Sequence, residues 1–254
     1  MNTHHTRLRS ILTGLMLSIL TAQDPFVIDT SLSSSLPQSI ANSIEIADVD
    51  NDGYNDIIMS GYDSTRFGLF IDIIKVNSQG ALTSGFSTNF ITYPDTIAEF
   101  SGGLGNLDLS DVNLDGSIDI YLNGSARSEL LMNSSSGYFS ESNWLQNMFV
   151  IHSNGKWGDV NMDGKPDLFL MGVKEPADNI LNELYLNTGT YLDEDPTTIF
   201  PALFTGSSAW GDYDNDGDPD LIIGGQTANP NSSVTRLYQN DPIGRLTEVT
   251  TADA

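Results

Sequence analysis

A nine-residue acidic cassette occurs four times in this chain, as DVDNDGYND at 48–56, DVNLDGSID at 111–119, DVNMDGKPD at 159–167 and DYDNDGDPD at 212–220. Each places an oxygen-bearing side chain at positions 1, 3, 5 and 9 and a glycine at 6. A tight turn of that kind gathers the side-chain oxygens and the position-7 carbonyl around one hard cation. The predicted ligands are Asp48, Asp50, Asp52 and Asp56 with the Tyr54 carbonyl, then Asp111, Asn113, Asp115 and Asp119 with that of Ser117. The third set is Asp159, Asn161, Asp163 and Asp167 with the Lys165 carbonyl, and the fourth is Asp212, Asp214, Asp216 and Asp220 with that of Asp218. Oxygen donors throughout predict Ca2+, up to four ions.

The repeat is longer than the loop. First positions of successive cassettes lie 63, 48 and 53 residues apart, the period of a blade or solenoid unit. An apolar run and a glycine follow each cassette, in DIIMSG, DIYLNG, DLFLMG and DLIIGG, as for a short buried strand closed by a turn. Next comes an apolar segment ending in Asn77, Asn133, Asn187 or Asn240, with a glycine shortly beyond, which reads as a strand entering a hairpin. A fourth apolar or aromatic stretch follows, and another precedes each cassette. Four strands per unit without helical periodicity predict an all-β chain of four-stranded antiparallel blades, a β-propeller, with the cassette joining strands one and two. Blades are expected at about 43–93, 104–150, 152–200 and 207–250. Trp157 and Trp210 share a register two residues before their cassettes, which predicts packing between blades.

The twelfth position separates competing calcium scaffolds. An EF-hand needs a bidentate Glu there, whereas this chain has Met59, Leu122, Leu170 and Ile223, so helical readings are excluded. The units resemble FG-GAP or VCBS-type repeats, the family that includes the calcium-binding blades of the integrin alpha-chain propeller. SSAWGDYDNDGDPDLIIGG at 207–225 is a close match, the other three cassettes follow it, and the similarity covers roughly 43–254. The resemblance implies calcium loops in the first hairpin of each blade, on one face, and seven blades in a complete family member. It does not extend to integrin ligand recognition, because the Phe-Gly before and Gly-Ala-Pro after the integrin loop are missing here.

Charge and termini set the surroundings. With 10 Lys+Arg against 34 Asp+Glu the formal charge is -24, which makes nucleic acid and anionic membranes poor partners. Arg7 and Arg9 before the apolar run Ile11 to Leu20 and small residues to Ala22 read as a signal peptide over 1–22, too short to span a bilayer. The mature chain is expected to have no membrane span and to be secreted or displayed at the cell surface. Residues 23–42 hold FVIDTSL at 26–32, which resembles the last strand of a blade whose other strands are missing, so the ring is expected to be open or partial. Cysteine is absent, leaving calcium instead of disulfides to stiffen an exported fold. Asn123, Asn133 and Asn231 head sequons that a eukaryotic secretory pathway would glycosylate.

No catalytic constellation assembles. His4 and His5 fall in the signal, His152 alone remains, and nearly half of the acids belong to cassettes. The chain therefore reads as a non-enzymatic, calcium-binding adhesion module for an extracellular protein or glycan ligand. The alternatives are the non-catalytic propeller portion of a larger polysaccharide-degrading enzyme and a structural spacer.

Overall fold

A computed structural model describes residues 40–250 apart from 64–67, 80, 92–105, 124–127, 135–136, 146–149, 175–178 and 228–231. The signal segment, the strand expected at 26–32 and Asn231 lie outside the described residues, as does the side chain of His152. Blade 1 comprises β1 (Ile40–Ala47), β2 (Asp56–Asp63), β3 (Gly68–Val76) and β4 (Leu82–Ile91). Blade 2 comprises β5 (Asn106–Ser110), β6 (Asp119–Asn123), β7 (Ser128–Asn133) and β8 (Phe139–Glu141). Blade 3 comprises β9 (Val150–Gly158), β10 (Asp167–Lys174), β11 (Asn179–Asn187) and β12 (Leu192–Asp195). Blade 4 comprises β13 (Leu203–Gly211), β14 (Asp220–Thr227), β15 (Ser233–Gln239) and β16 (Thr247–Glu248). Each is a four-stranded sheet in sequence order with antiparallel neighbours, so the all-β propeller of four blades expected from the repeats is the fold. The first strands of blades 1, 3 and 4 begin earlier than the sequence limits, at Ile40, Val150 and Leu203.

The post-cassette runs are apolar at consecutive positions because both faces of a blade are covered. In β10, Leu168 and Leu170 join the core shared with blade 2, while Phe169 and Met171 join the core shared with blade 4. Three such cores exist among the described residues, between blades 1 and 2, 2 and 3, and 3 and 4. Phe200, from the connection into blade 4, stacks edge-on between Phe169 at 4.9 Å and Tyr238 at 5.1 Å. Trp157 and Trp210 pack against these cores, as their register predicts, and Trp210 Nε1 donates to the Lys156 carbonyl at 3.1 Å.

Outward faces at either end lack this cover. Leu107 in β5 is 1% exposed, and its equivalent in blade 1, Ile44, is 57% exposed. Phe169 is fully buried, and its blade 4 equivalent, Ile222, is 44% exposed. Asn123 and Asn133 are both buried, so the folded blades leave no room for a glycan on either sequon. No helix among the described residues is long and apolar enough to cross a membrane.

Gly155 of β9 marks a close approach of blade 3 to blade 2. A Cβ there would lie 2.2 Å from Cε1 of the fully buried Tyr121, whose ring occupies the volume the glycine leaves. Gly155→Ala is expected to lose about 1–3 kcal/mol through this overlap. Trimming the partner, in Gly155→Ala with Tyr121→Leu, should recover part of that loss in thermal denaturation.

Candidate metal centres and an interblade cleft

One hydrogen-bond scaffold recurs in all four cassettes. The first-position Asp accepts from the backbone N–H of position 5 through Oδ1, at 3.1, 3.0, 3.0 and 3.1 Å for Asp48, Asp111, Asp159 and Asp212. Its Oδ2 accepts from the glycine N–H of position 6, at 2.8, 2.8, 2.9 and 3.2 Å. The fifth-position Asp then accepts from the N–H of position 7. These side chains act as turn formers, which is why Asp and Asn suit the loop even before a cation is considered.

The turn demands a left-handed residue at position 4, where Asn51, Leu114, Met162 and Asn215 have φ of 58°, 59°, 56° and 63°. Asn adopts this conformation readily, and a leucine or methionine does so at a steric cost. Leu114 and Met162 are also half exposed, so nothing in the core repays them. Leu114→Asn is expected to raise stability by about 0.5–1 kcal/mol, read as an increase in the denaturant midpoint.

The ninth-position Asp ties the cassette to the blade. Asp119 Oδ2 accepts from Val112 N–H at 3.0 Å and its Oδ1 from Asn133 N–H at 2.8 Å. Asp167 is held in the same way by Val160 and Asn187 at 3.0 and 2.7 Å, and Asp220 by Tyr213 and Asn240 at 2.9 Å each. Burial pushes the Asp119 and Asp167 carboxyls up to about 6, against the lowering effect of the two N–H donors, and the neighbouring cassette Asp residues add to the rise. A carboxyl raised in the folded state favours folding below its unfolded value and loses that advantage as pH rises through the folded one. The metal-free protein should therefore melt higher at about pH 5 than at about pH 7.5, a difference scanning calorimetry would show.

Carboxylates converge most closely at the outer cassettes. Oxygens of Asp48, Asp50 and Asp56 lie within 4.8 Å of one another, and so do those of Asp212, Asp214 and Asp216. Asp52 and Asp220 stand outside these triads, and no such triad forms at the cassettes carrying Asn113 and Asn161 among the described residues. In the first triad Asp50 Oδ1 is buried without a hydrogen-bond partner. Asp218 is 2% exposed and its Oδ1 is likewise without a partner. Buried acceptor oxygens with nothing to accept from fit a hard cation.

Three features were not legible in the cassettes. Asp218 holds its buried side-chain carboxyl near those of Asp216, Asp220 and Asp214, whereas the sequence assigned only its carbonyl. Lys75 of β3 reaches Asp50 at 2.5 Å from 25 residues away, and no local pattern signals it. Lys165 turns its ammonium onto Asp163 at 2.6 Å, so position 7 there brings a positive charge as well as a carbonyl.

A cleft of about 690 Å³ lies between blades 3 and 4, lined among others by Asp195, Thr197, Ile199, Tyr238, Arg245 and Thr247. Tyr238 is 2% exposed and its hydroxyl has no hydrogen-bond partner. Ile199, 89% exposed, gives the rim an apolar flank.

Residues 111–170 and 159–223 each match the family described as FG-GAP-like repeat. Among solved structures, an Agrocybe aegerita lectin described for specific recognition of non-reducing terminal N-acetylglucosamine superposes with a TM-score of 0.51 at 16% identity. That match covers 82% of this chain and 51% of the lectin. The V. cholerae biofilm matrix protein Bap1 matches with a TM-score of 0.43 and 18% identity, over 80% of this chain and 27% of its own. The chain thus spans about half of the first protein's length and about a quarter of the second's. No curated protein matches it significantly.

Proposed function

The chain is an FG-GAP repeat protein, and from that premise we propose that it is a secreted or cell-surface propeller module whose cassettes bind structural calcium and whose surface mediates adhesion. The observation that carries the calcium reading is the cassette at 48–56, where three carboxylates meet and the buried Asp50 Oδ1 lacks a partner. At an effective dielectric near 20, two unit charges about 4 Å apart repel by about 4 kcal/mol, so a cation between them removes a real cost. The test is metal content after equilibrium dialysis at about 1 mM calcium, a concentration at which weak extracellular sites fill. Up to four ions per chain are expected, and a chain that retains none would overturn the reading.

For the ligand, the same proposal takes a glycan in the cleft between blades 3 and 4. The unpartnered Tyr238 hydroxyl, the threonines and Arg245 offer hydrogen bonds to a polyhydroxylated molecule, and Ile199 offers an apolar contact. The lectin's recognition of terminal N-acetylglucosamine makes that sugar the first to try. A glycan array with calcium present should show retention that Arg245→Ala weakens. Binding to cell-surface protein with no glycan signal would move the reading to protein adhesion.

A further inference from the structure

We infer that Asn133, Asn187 and Asn240 are positioning residues for the cassette of the preceding blade, each gripping the peptide between its first and third positions. This rests on the proposed reading of the cassettes as calcium loops. Across each blade interface the Asn amide donates from Nδ2 to the carbonyl of cassette position 2. The distances are 2.7 Å from Asn133 to Val49, 2.8 Å from Asn187 to Val112 and 2.7 Å from Asn240 to Val160. In all three the contact joins residues 75 to 84 positions apart, so it follows from the blade packing and no local turn imposes it.

The gripped residue stands between two ligand positions. Val112 separates Asp111 from Asn113, its side chain is buried in the core between blades 2 and 3, and its N–H holds Asp119. With the carbonyl fixed by Asn187, the residue is pinned through side chain, N–H and C=O together. Its two neighbours then have little freedom to swing away from an ion. Two of the asparagines spend the second Nδ2 hydrogen in their own blade, Asn133 on the Ile118 carbonyl and Asn187 on that of Pro166, each at 3.0 Å. Their backbone N–H groups hold their own ninth-position Asp. Each asparagine therefore links its own cassette to the one before it.

Blade 1 supplies an internal comparison. Register places Ile57 opposite Ile74 and Ile120 opposite Leu131, so the equivalent of Asn133 is Val76 and the neighbouring Asn77 lies one residue beyond. Val76 N–H still holds Asp56 Oδ1 at 2.9 Å, the contact made within the blade. It has no amide to offer, and blade 1 has no described blade before it. The side-chain amide is thus present in the three blades that face a preceding cassette.

The test is calorimetric titration of the full chain with calcium, comparing the unmutated protein with Asn133→Leu and with Leu107→Ala, which opens the same interface without touching the grip. Asn133→Leu should weaken one site about 10- to 100-fold and leave the others, as lost support of a metal ligand does elsewhere. Combining it with Asp48→Asn, which disables the cassette at 48–56, should add nothing further. Leu107→Ala should lower the melting temperature and keep the affinities. Asn240→Leu repeats the experiment on the cassette at 159–167 should the first variant fold poorly. Unchanged affinity in both asparagine variants, or equal weakening by Leu107→Ala, would overturn the inference. No calcium binding by the unmutated chain would also overturn it, and would identify the calcium reading as the failing premise.

Discussion

Emptying each calcium site by chelation is expected to lower the melting temperature by about 5–10 °C. A ligand present at a hundred times its Kd and bound only by the folded state contributes about 2.7 kcal/mol. For a domain of this size each kcal/mol shifts the midpoint by about 2–4 °C. Loss should be stepwise. The cassettes at 48–56 and 212–220 carry four Asp among their side-chain ligands, whereas Asn113 and Asn161 replace one in each of the others. Charge count favours the outer two, and the structure separates those again. Asp218 adds a buried carboxylate at 212–220, while Lys75 already neutralises part of Asp50 at 48–56. The site at 212–220 should therefore empty last in a chelator titration followed by calorimetry. Release of all ions in one step would contradict the ranking, and an unchanged melting temperature would contradict structural calcium altogether.

The blades were legible because the repeat fixes both the loop and the strands beside it. DLFLMG reads as a strand buried on both faces, and β10 is one, with Phe169 and Leu170 both fully buried on opposite sides. Less legible was anything decided across an interface. The sequence aligns Asn77 with Asn133 by the apolar run before it, yet pairing puts Val76 in that register and leaves Asn77 to cap its hairpin through the N–H groups of Gln79 and Ala81. An irregularity in the β3 and β4 pairing, between Asp72 and Ile74, accompanies this extra residue. Lys75 and Tyr238 escaped for the same reason, since what they touch comes from a distant part of the chain or a neighbouring blade. Glycine at position 6 was legible as a turn residue, and its φ of 85–102° in the four cassettes is one that only glycine adopts cheaply.

Position 9 carries the second large effect, because it serves the fold as well as the ion. Asp167→Ala is expected to cost about 1–3 kcal/mol even in chelator, since the Asn187 N–H would stay buried without an acceptor, while that of Val160 falls back on the Gly158 carbonyl at 3.1 Å. Both donors lie at 2.7 and 3.0 Å from a carboxylate that is fully buried. Asp159→Ala provides the contrast. Its partners, the N–H groups of Asp163 and Gly164, are bonded at exposed positions where water can replace the carboxylate. In chelator that variant should lose about 1 kcal/mol or less, and in calcium it should lose the metal contribution as well. Urea unfolding of both variants, with and without calcium, separates the roles. Equal losses in chelator would mean that the ninth position is a ligand like the first, and that the link it makes from cassette to third strand does not hold the blade.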